Sequence, residues 1–196
     1  MDLSGLGEFG LIELIRERFA SIPSHGCEGI GDDCAVLPLN TTESMVVTTD
    51  LLVEDIHFLR DRITPEQLGR KSLAVNLSDV AAMGAAPVAS FLSLSLPPGV
   101  TGVWIDAFLA GYHALSTQFG VPLLGGDTTS ARDRLTVSVT AIGRAENTHL
   151  KRRGDAKPGD RIFVTDTWAI PPKDCRICSP AGIRPSLLYI ISQNHL

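Results

Sequence analysis

The chain has 196 residues, 44% hydrophobic and 20% charged, with 18 Gly and 12 Pro, which suits one domain with a buried core. Lys and Arg number 17 against 22 Asp and Glu, a formal net charge of -5, so no basic surface is available to neutralise a nucleic-acid backbone. The most apolar stretch, 80–96, is broken by Gly84, Pro87 and three serines. It falls short of the roughly 20 apolar residues of a spanning helix, and the start Met1-Asp2-Leu3-Ser4 has no signal-peptide character. The expectation is a soluble, cytoplasmic protein without nucleic-acid or membrane partners.

In chain order, 8–20 places Phe9, Ile12, Ile15 and Phe19 at spacings of three and four with Glu13, Arg16 and Glu17 between them, the pattern of an amphipathic surface helix. A glycine-rich turn at 26–33 precedes two short β-rich runs, 34–39 and 45–49, joined by a polar linker and expected to pair. Thr64 is a helix N-cap, with Pro65 at the first helical position and Gln67 placed to complete a capping box. That helix is expected to run to about residue 83 and stop at Gly84. A strand follows at 88–96, a helix at 101–119 ended by Gly120, and a short apolar strand at 121–124 closed by Gly125-Gly126. Finally 135–142 alternates, with Leu135, Val137, Val139 and Ala141 on one face and Thr136, Ser138 and Thr140 on the other.

After the turn Lys157-Pro158-Gly159-Asp160, residues 162–165 read as the start of a strand, and 168–196 has no sustained periodicity. Cys175 and Cys178 have the spacing of half a zinc site, but a closed site needs two more ligands. The pair reads as incidental.

Acidic residues gather at expected turns and strand ends: Asp32 and Asp33, Asp50, Glu54 and Asp55, Asp79, and Asp127. Convergent carboxylates at a core edge repel one another and resist desolvation unless a cation balances them. Mg²⁺ is the economical cation, since it takes hard oxygen ligands and shares its shell with water and substrate phosphates. Asp79 carries the most information, because Ser72, Asn76 and Asp79 form one polar stripe on a helix that is otherwise apolar nearly all round. Either that stripe is a narrow exposed edge, or it aims a carboxylate at a metal in a cleft. Gly29-Ile30-Gly31-Asp32-Asp33-Cys34 lacks the third glycine of a dinucleotide fingerprint, and 120–126 lacks the Lys-Ser or Lys-Thr of a Walker A loop. Gly125-Gly126-Asp127-Thr128-Thr129 remains as a turn that could admit a phosphate, with a plain structural turn as the alternative.

Glu8-Phe9, Gly29 to Ala35, Thr48 to Glu54, His57-Phe58, Lys71 to Gly84, Gly125 to Thr129 and Ala156 to Asp160 together resemble the thiamine-monophosphate kinase family. That family lies within a broader superfamily with aminoimidazole ribonucleotide synthetase, selenophosphate synthetase and a hydrogenase maturation factor. The resemblance implies an α+β fold: a mixed, largely antiparallel sheet with helices packed on one face, as in the N-terminal domain of aminoimidazole ribonucleotide synthetase. It implies ATP-dependent phosphorylation of thiamine monophosphate to thiamine diphosphate, with ATP as co-substrate and Mg²⁺ as cofactor. By motif, Asp33, Thr48, Thr49, Asp50, Asp79 and Asp127 would hold metal, and Gly126 and Asp127 would contact ATP. Arg153 would contact the ATP phosphates, with Arg152 as its alternate because 151–155 is one residue longer than the family pattern. His57 would contact thiamine phosphate.

The resemblance covers 7–167 and implies an ATP- and Mg-binding domain whose sheet pairs with a second copy in a homodimer. Residues 168–196 resemble nothing in the family and the second family domain is expected to be absent, which leaves open a non-catalytic nucleotide- or metal-binding or dimerisation fragment.

Overall fold

The computed structural model describes residues 5–161. Within them the order is α1 (Gly7–Phe19), β1 (Ala35–Pro38), β2 (Glu43–Val53), α2 (Pro65–Ala82), β3 (Ala86–Leu96), α3 (Gly102–Phe119), β4 (Leu123–Ser130) and β5 (Thr136–Glu146), with a 3-10 turn at Arg153–Asp155. The five strands form one sheet in the order β1-β2-β5-β3-β4. Every neighbouring pair is antiparallel except β3 and β4, which are parallel and joined through α3.

The helix starts follow local chemistry. Thr64 Oγ1 accepts from the Gln67 N–H at 3.2 Å and Gln67 Oε1 accepts from the Thr64 N–H at 3.0 Å. This reciprocal box satisfies two backbone donors that the first turn of α2 would otherwise leave open. Thr101 Oγ1 accepts from the Trp104 N–H at 3.2 Å, and α3 ends at Gly120 in the left-handed conformation, as expected from the sequence.

The core lies between one face of the sheet and the α2–α3 pair. Leu135, Val137, Val139 and Ala141 are all buried, with Leu68, Leu73 and Val80 of α2 and Phe108, Tyr112 and Leu115 of α3 above them. The two helices touch backbone to backbone at glycines. A Cβ on Gly69 would overlap the Phe108 carbonyl, and one on Gly111 the Glu66 carbonyl.

Two sequence expectations are corrected. Strand β2 continues through Asp50 to Val53, so Asp50 lies within a strand and does not end one. Residues 125–129 are not a turn: they lie inside β4, where Gly126 (φ +151) packs so closely on Leu92 that a Cβ would overlap its carbonyl oxygen. The glycines there serve close strand approach. Helix α1 forms as the expected surface helix: none of its residues is buried, and Phe9 and Phe19 stay 79% and 59% exposed. The expected strand at 162–165, the Cys175/Cys178 pair and the tail from residue 168 lie outside the described residues.

Candidate functional site

Strand β1 covers the outer edge of β2 only as far as the Ala35–Val47 pair. Beyond it no strand pairs with that edge of β2. Helix α2 crosses above. Asn76, fully buried, accepts from the Asp50 N–H at 3.2 Å and donates from Nδ2 to the Ser72 carbonyl at 3.1 Å. Three residues further along the helix, Asp79 Oδ2 accepts from the Thr48 hydroxyl at 2.8 Å. The polar stripe is therefore no exposed edge. Ser72 and Asn76 are buried against the sheet, and the stripe fixes α2 to β2 where the acids meet.

The electrostatics record the convergence. Burial, reinforced by the charges of Asp50 and Asp33, pushes Asp79 up to about 6, although the Thr48 hydrogen bond and Arg153 pull the other way. Asp50 is also raised, by burial, with His57 opposing. Cys34, buried in the middle, is pushed up to about 12, first by burial and then by Asp79, Asp33, Asp32 and Asp50.

The 3-10 turn brings two arginines to the same loop, and they divide. The Arg152 side chain closes a two-point pair with Glu28 at 2.6 and 2.5 Å. Arg153 bonds its guanidinium to Asp33 and its backbone N–H to Asp32 at 3.2 Å. Arg153 is the cation of the acidic cluster, and its own pKa is raised, first by that bond to Asp33.

Sheet register separates the remaining candidates. Asp50 pairs with Val139, which pairs with Leu92, which pairs with Gly126, all on the helix-covered face. Asp127 is in register with Ser93, Ser138 and Leu51, on the opposite face and three strands away, about 14 Å at ordinary strand spacing. Thr49 also projects to that opposite face, where its hydroxyl accepts from Thr140 at 3.1 Å. Within one chain, then, Asp33, Thr48, Asp50, Asp79 and Arg153 come together, and Thr49, Gly126 and Asp127 do not join them. His57 stands at the rim, exposed, in the turn after β2.

The donors near Asp79 are hard oxygens: three carboxylates, two of them disfavoured as anions by burial, and a hydroxyl. That chemistry fits a divalent cation with oxygen ligands. Among the described residues no group of three or more His, Cys, Asp or Glu side chains is placed to hold a metal ion, so a cation here would need water or phosphate oxygens for much of its shell. One contact escaped the sequence reading. Lys71, near the start of α2, donates from Nζ to the His57 carbonyl at 2.7 Å; its place between Arg70 and Ser72 gave no sign of that bond.

The geometry can be set beside known proteins. Residues 31–145 match the family model for AIR synthase related protein, N-terminal domain. The chain is 41% identical over 160 residues to thiamine-monophosphate kinase of Bacillus subtilis, covering 82% of this chain and 49% of that protein. It is 44% identical over 164 residues to the enzyme of that name from Salmonella typhimurium, covering 82% and 48%. A solved structure described as AaThiL complexed with AMPPCP and TMP superposes with a TM-score of 0.74 at 33% identity, covering 83% of this chain and 49% of that one. The chain spans about half the length of the curated relatives it matches.

Proposed function

From the chain's membership in the AIR synthase related family, whose N-terminal domain it carries over residues 31–145, we propose that it is the ATP- and Mg²⁺-binding domain, 7–167, of a thiamine-monophosphate kinase. The observation that carries the reading is the meeting of Asp33, Asp50 and Asp79 with the Thr48 hydroxyl under incomplete cationic cover. A site that holds desolvated carboxylates together is suited to a metal-bound polyphosphate. The complex described with AMPPCP and TMP, a nucleotide and a monophosphate, supports ATP and thiamine monophosphate as the ligands.

In this reading an oxygen of the acceptor phosphate attacks the γ-phosphorus of ATP, the bond to the β-bridging oxygen breaks, and ADP leaves. The acceptor oxygen is already ionised near neutral pH, so no general base is required. The chain's part is positioning and charge cancellation. Asp33, Thr48, Asp50 and Asp79 would hold Mg²⁺; Thr49 and Asp127, on the opposite face of the sheet, could bind metal only at a separate site. Bound Mg²⁺ would supply the positive charge that offsets the transferring phosphoryl group. Arg153, a forked donor beside Asp33, would contact the phosphates, Gly126 and Asp127 would contact ATP, and His57 would contact thiamine phosphate.

The open face of the sheet, with Leu51, Thr49 and Asp127 exposed, suits a homodimer, and the cytoplasm is the proposed compartment. No helix among the described residues is long and apolar enough to cross a membrane.

The separation of Asp127 from Asp50 favours a second reading, a nucleotide- and metal-binding or dimerisation module without turnover. Coupled ADP release with thiamine monophosphate, run beside ATP titrations with and without Mg²⁺, tests both. Turnover supports the kinase, binding alone supports a nucleotide- and metal-binding module, and no Mg²⁺-dependent ATP binding overturns both of these and leaves only the dimerisation module.

A further inference from the structure

His57 is exposed, yet each of its polar groups that bonds within the chain is held. Its N–H donates to the Val53 carbonyl at 2.9 Å, its ring Nδ1 accepts from the Val53 N–H at 3.0 Å, and its carbonyl accepts from Lys71 Nζ at 2.7 Å. The turn that carries it is secured separately. Phe58 is buried, Glu54 pairs with Arg60 at 2.9 Å and accepts from the Leu135 N–H at 2.9 Å, and Asp55 pairs with Arg134. An exposed side chain ordinarily rotates freely, so restraint of this extent marks preorganisation.

Lys71 is the unusual member. It is half-buried, burial lowers its pKa, and its bonded partner is a neutral carbonyl; no carboxylate pairs with it among the described residues. A lysine that served only to tie a helix to a turn would cost less as an exposed ion pair or an apolar side chain.

We propose that Lys71 is a positioning residue for His57: by holding the His57 carbonyl, its ammonium fixes the turn so that the imidazole keeps Nδ1 as acceptor and presents Nε2–H as a donor to an anionic oxygen of the ligand. With Nδ1 committed to the Val53 N–H, the neutral ring carries its proton on Nε2. That edge can donate to a phosphate monoester. The identity of that ligand as thiamine monophosphate rests on the kinase reading; the effect on the imidazole does not.

The test uses the full chain labelled with ¹⁵N. Long-range ¹H–¹⁵N spectra of the imidazoles are recorded for wild type, Lys71→Met and Lys71→Arg, followed by titration with thiamine monophosphate. Wild type is expected to show His57 as the single Nε2–H tautomer. Lys71→Met shifts it toward the mixture of a free histidine and weakens thiamine monophosphate at least about tenfold, and Lys71→Arg restores both. In a His57→Ala background, Lys71→Met adds no further loss of binding, which a purely structural tie would not produce.

An unchanged tautomer in folded Lys71→Met overturns the proposal, as does a further loss of binding in the His57→Ala background. If Lys71→Met does not fold by circular dichroism, Lys71→Gln is read in its place, and folded Lys71→Arg with a free-histidine signature also overturns the proposal. A tautomer shift in Lys71→Met without any response of wild type to thiamine monophosphate upholds the positioning role and counts against the kinase reading alone.

Discussion

The Thr48 hydroxyl on β2 donates to Asp79 Oδ2 on α2 at 2.8 Å, so the carboxylate most burdened by burial and neighbouring charge is steadied by a single neutral donor from the sheet. A carboxyl raised to about 6 in the fold, against an ordinary 3.8, keeps its proton where the unfolded chain has released it. Its contribution to stability is therefore present at low pH and is lost as pH rises through about 6. In EDTA, thermal unfolding is expected to show Asp79→Asn gaining on wild type between pH 4.5 and pH 7. A variant that loses ground across that window contradicts the placement of Asp79.

The same carboxylates are expected to be indispensable to ligand binding. Asp50→Asn and Asp79→Asn each abolish Mg²⁺-dependent ATP binding by isothermal titration while leaving the far-ultraviolet circular dichroism unchanged. Nucleotide affinity equal to wild type in either variant argues against the site.

The two adjacent arginines make a matched pair. Arg153 reaches Asp33 and Arg152 is committed to Glu28, so Arg153→Gln is expected to weaken ATP about tenfold, the scale of one charge-assisted contact. Arg152→Gln leaves affinity within about twofold, because an exposed ion pair contributes little. Equal effects from both would make the contribution a general one of positive charge.

Neighbouring glycines of β4 are expected to differ sharply. A methyl at Gly126 meets the Leu92 backbone at a φ of +151, whereas one at Gly125 meets only the edge of the Phe91 ring at 3.4 Å. Gly126→Ala is expected to cost more than about 2 kcal/mol in urea unfolding, and Gly125→Ala less than about 1 kcal/mol. A reversed order would mean that β4 does not lie against β3 in this register.

Much of this fold was legible because its signals were local. The Thr64 to Gln67 box, Gly120 after α3, and the alternation in β5 depend on residues a few positions apart, and each element stands where the sequence placed it. The polar stripe of α2 was equally readable, since an isolated acid on a buried helix has few physical explanations. What escaped the reading was non-local. Gly125-Gly126 has the composition of a turn, and only its pairing with Leu92 reveals a strand. The face on which Asp127 stands depends on register across four strands, which no spacing along the chain records. Lys71 was missed for the same reason, because its partner lies 14 positions back in a turn.

Gly69 and Gly111 let α2 and α3 meet without side chains between them. From Gly69 to Asp79 the helix rises about 15 Å, and it does so as a stiff rod with its fulcrum at that contact. A methyl group added at the fulcrum would tip the far end, moving Asn76 and Asp79 together relative to β2. Loss of ligand affinity can therefore originate in a residue that no ligand ever approaches.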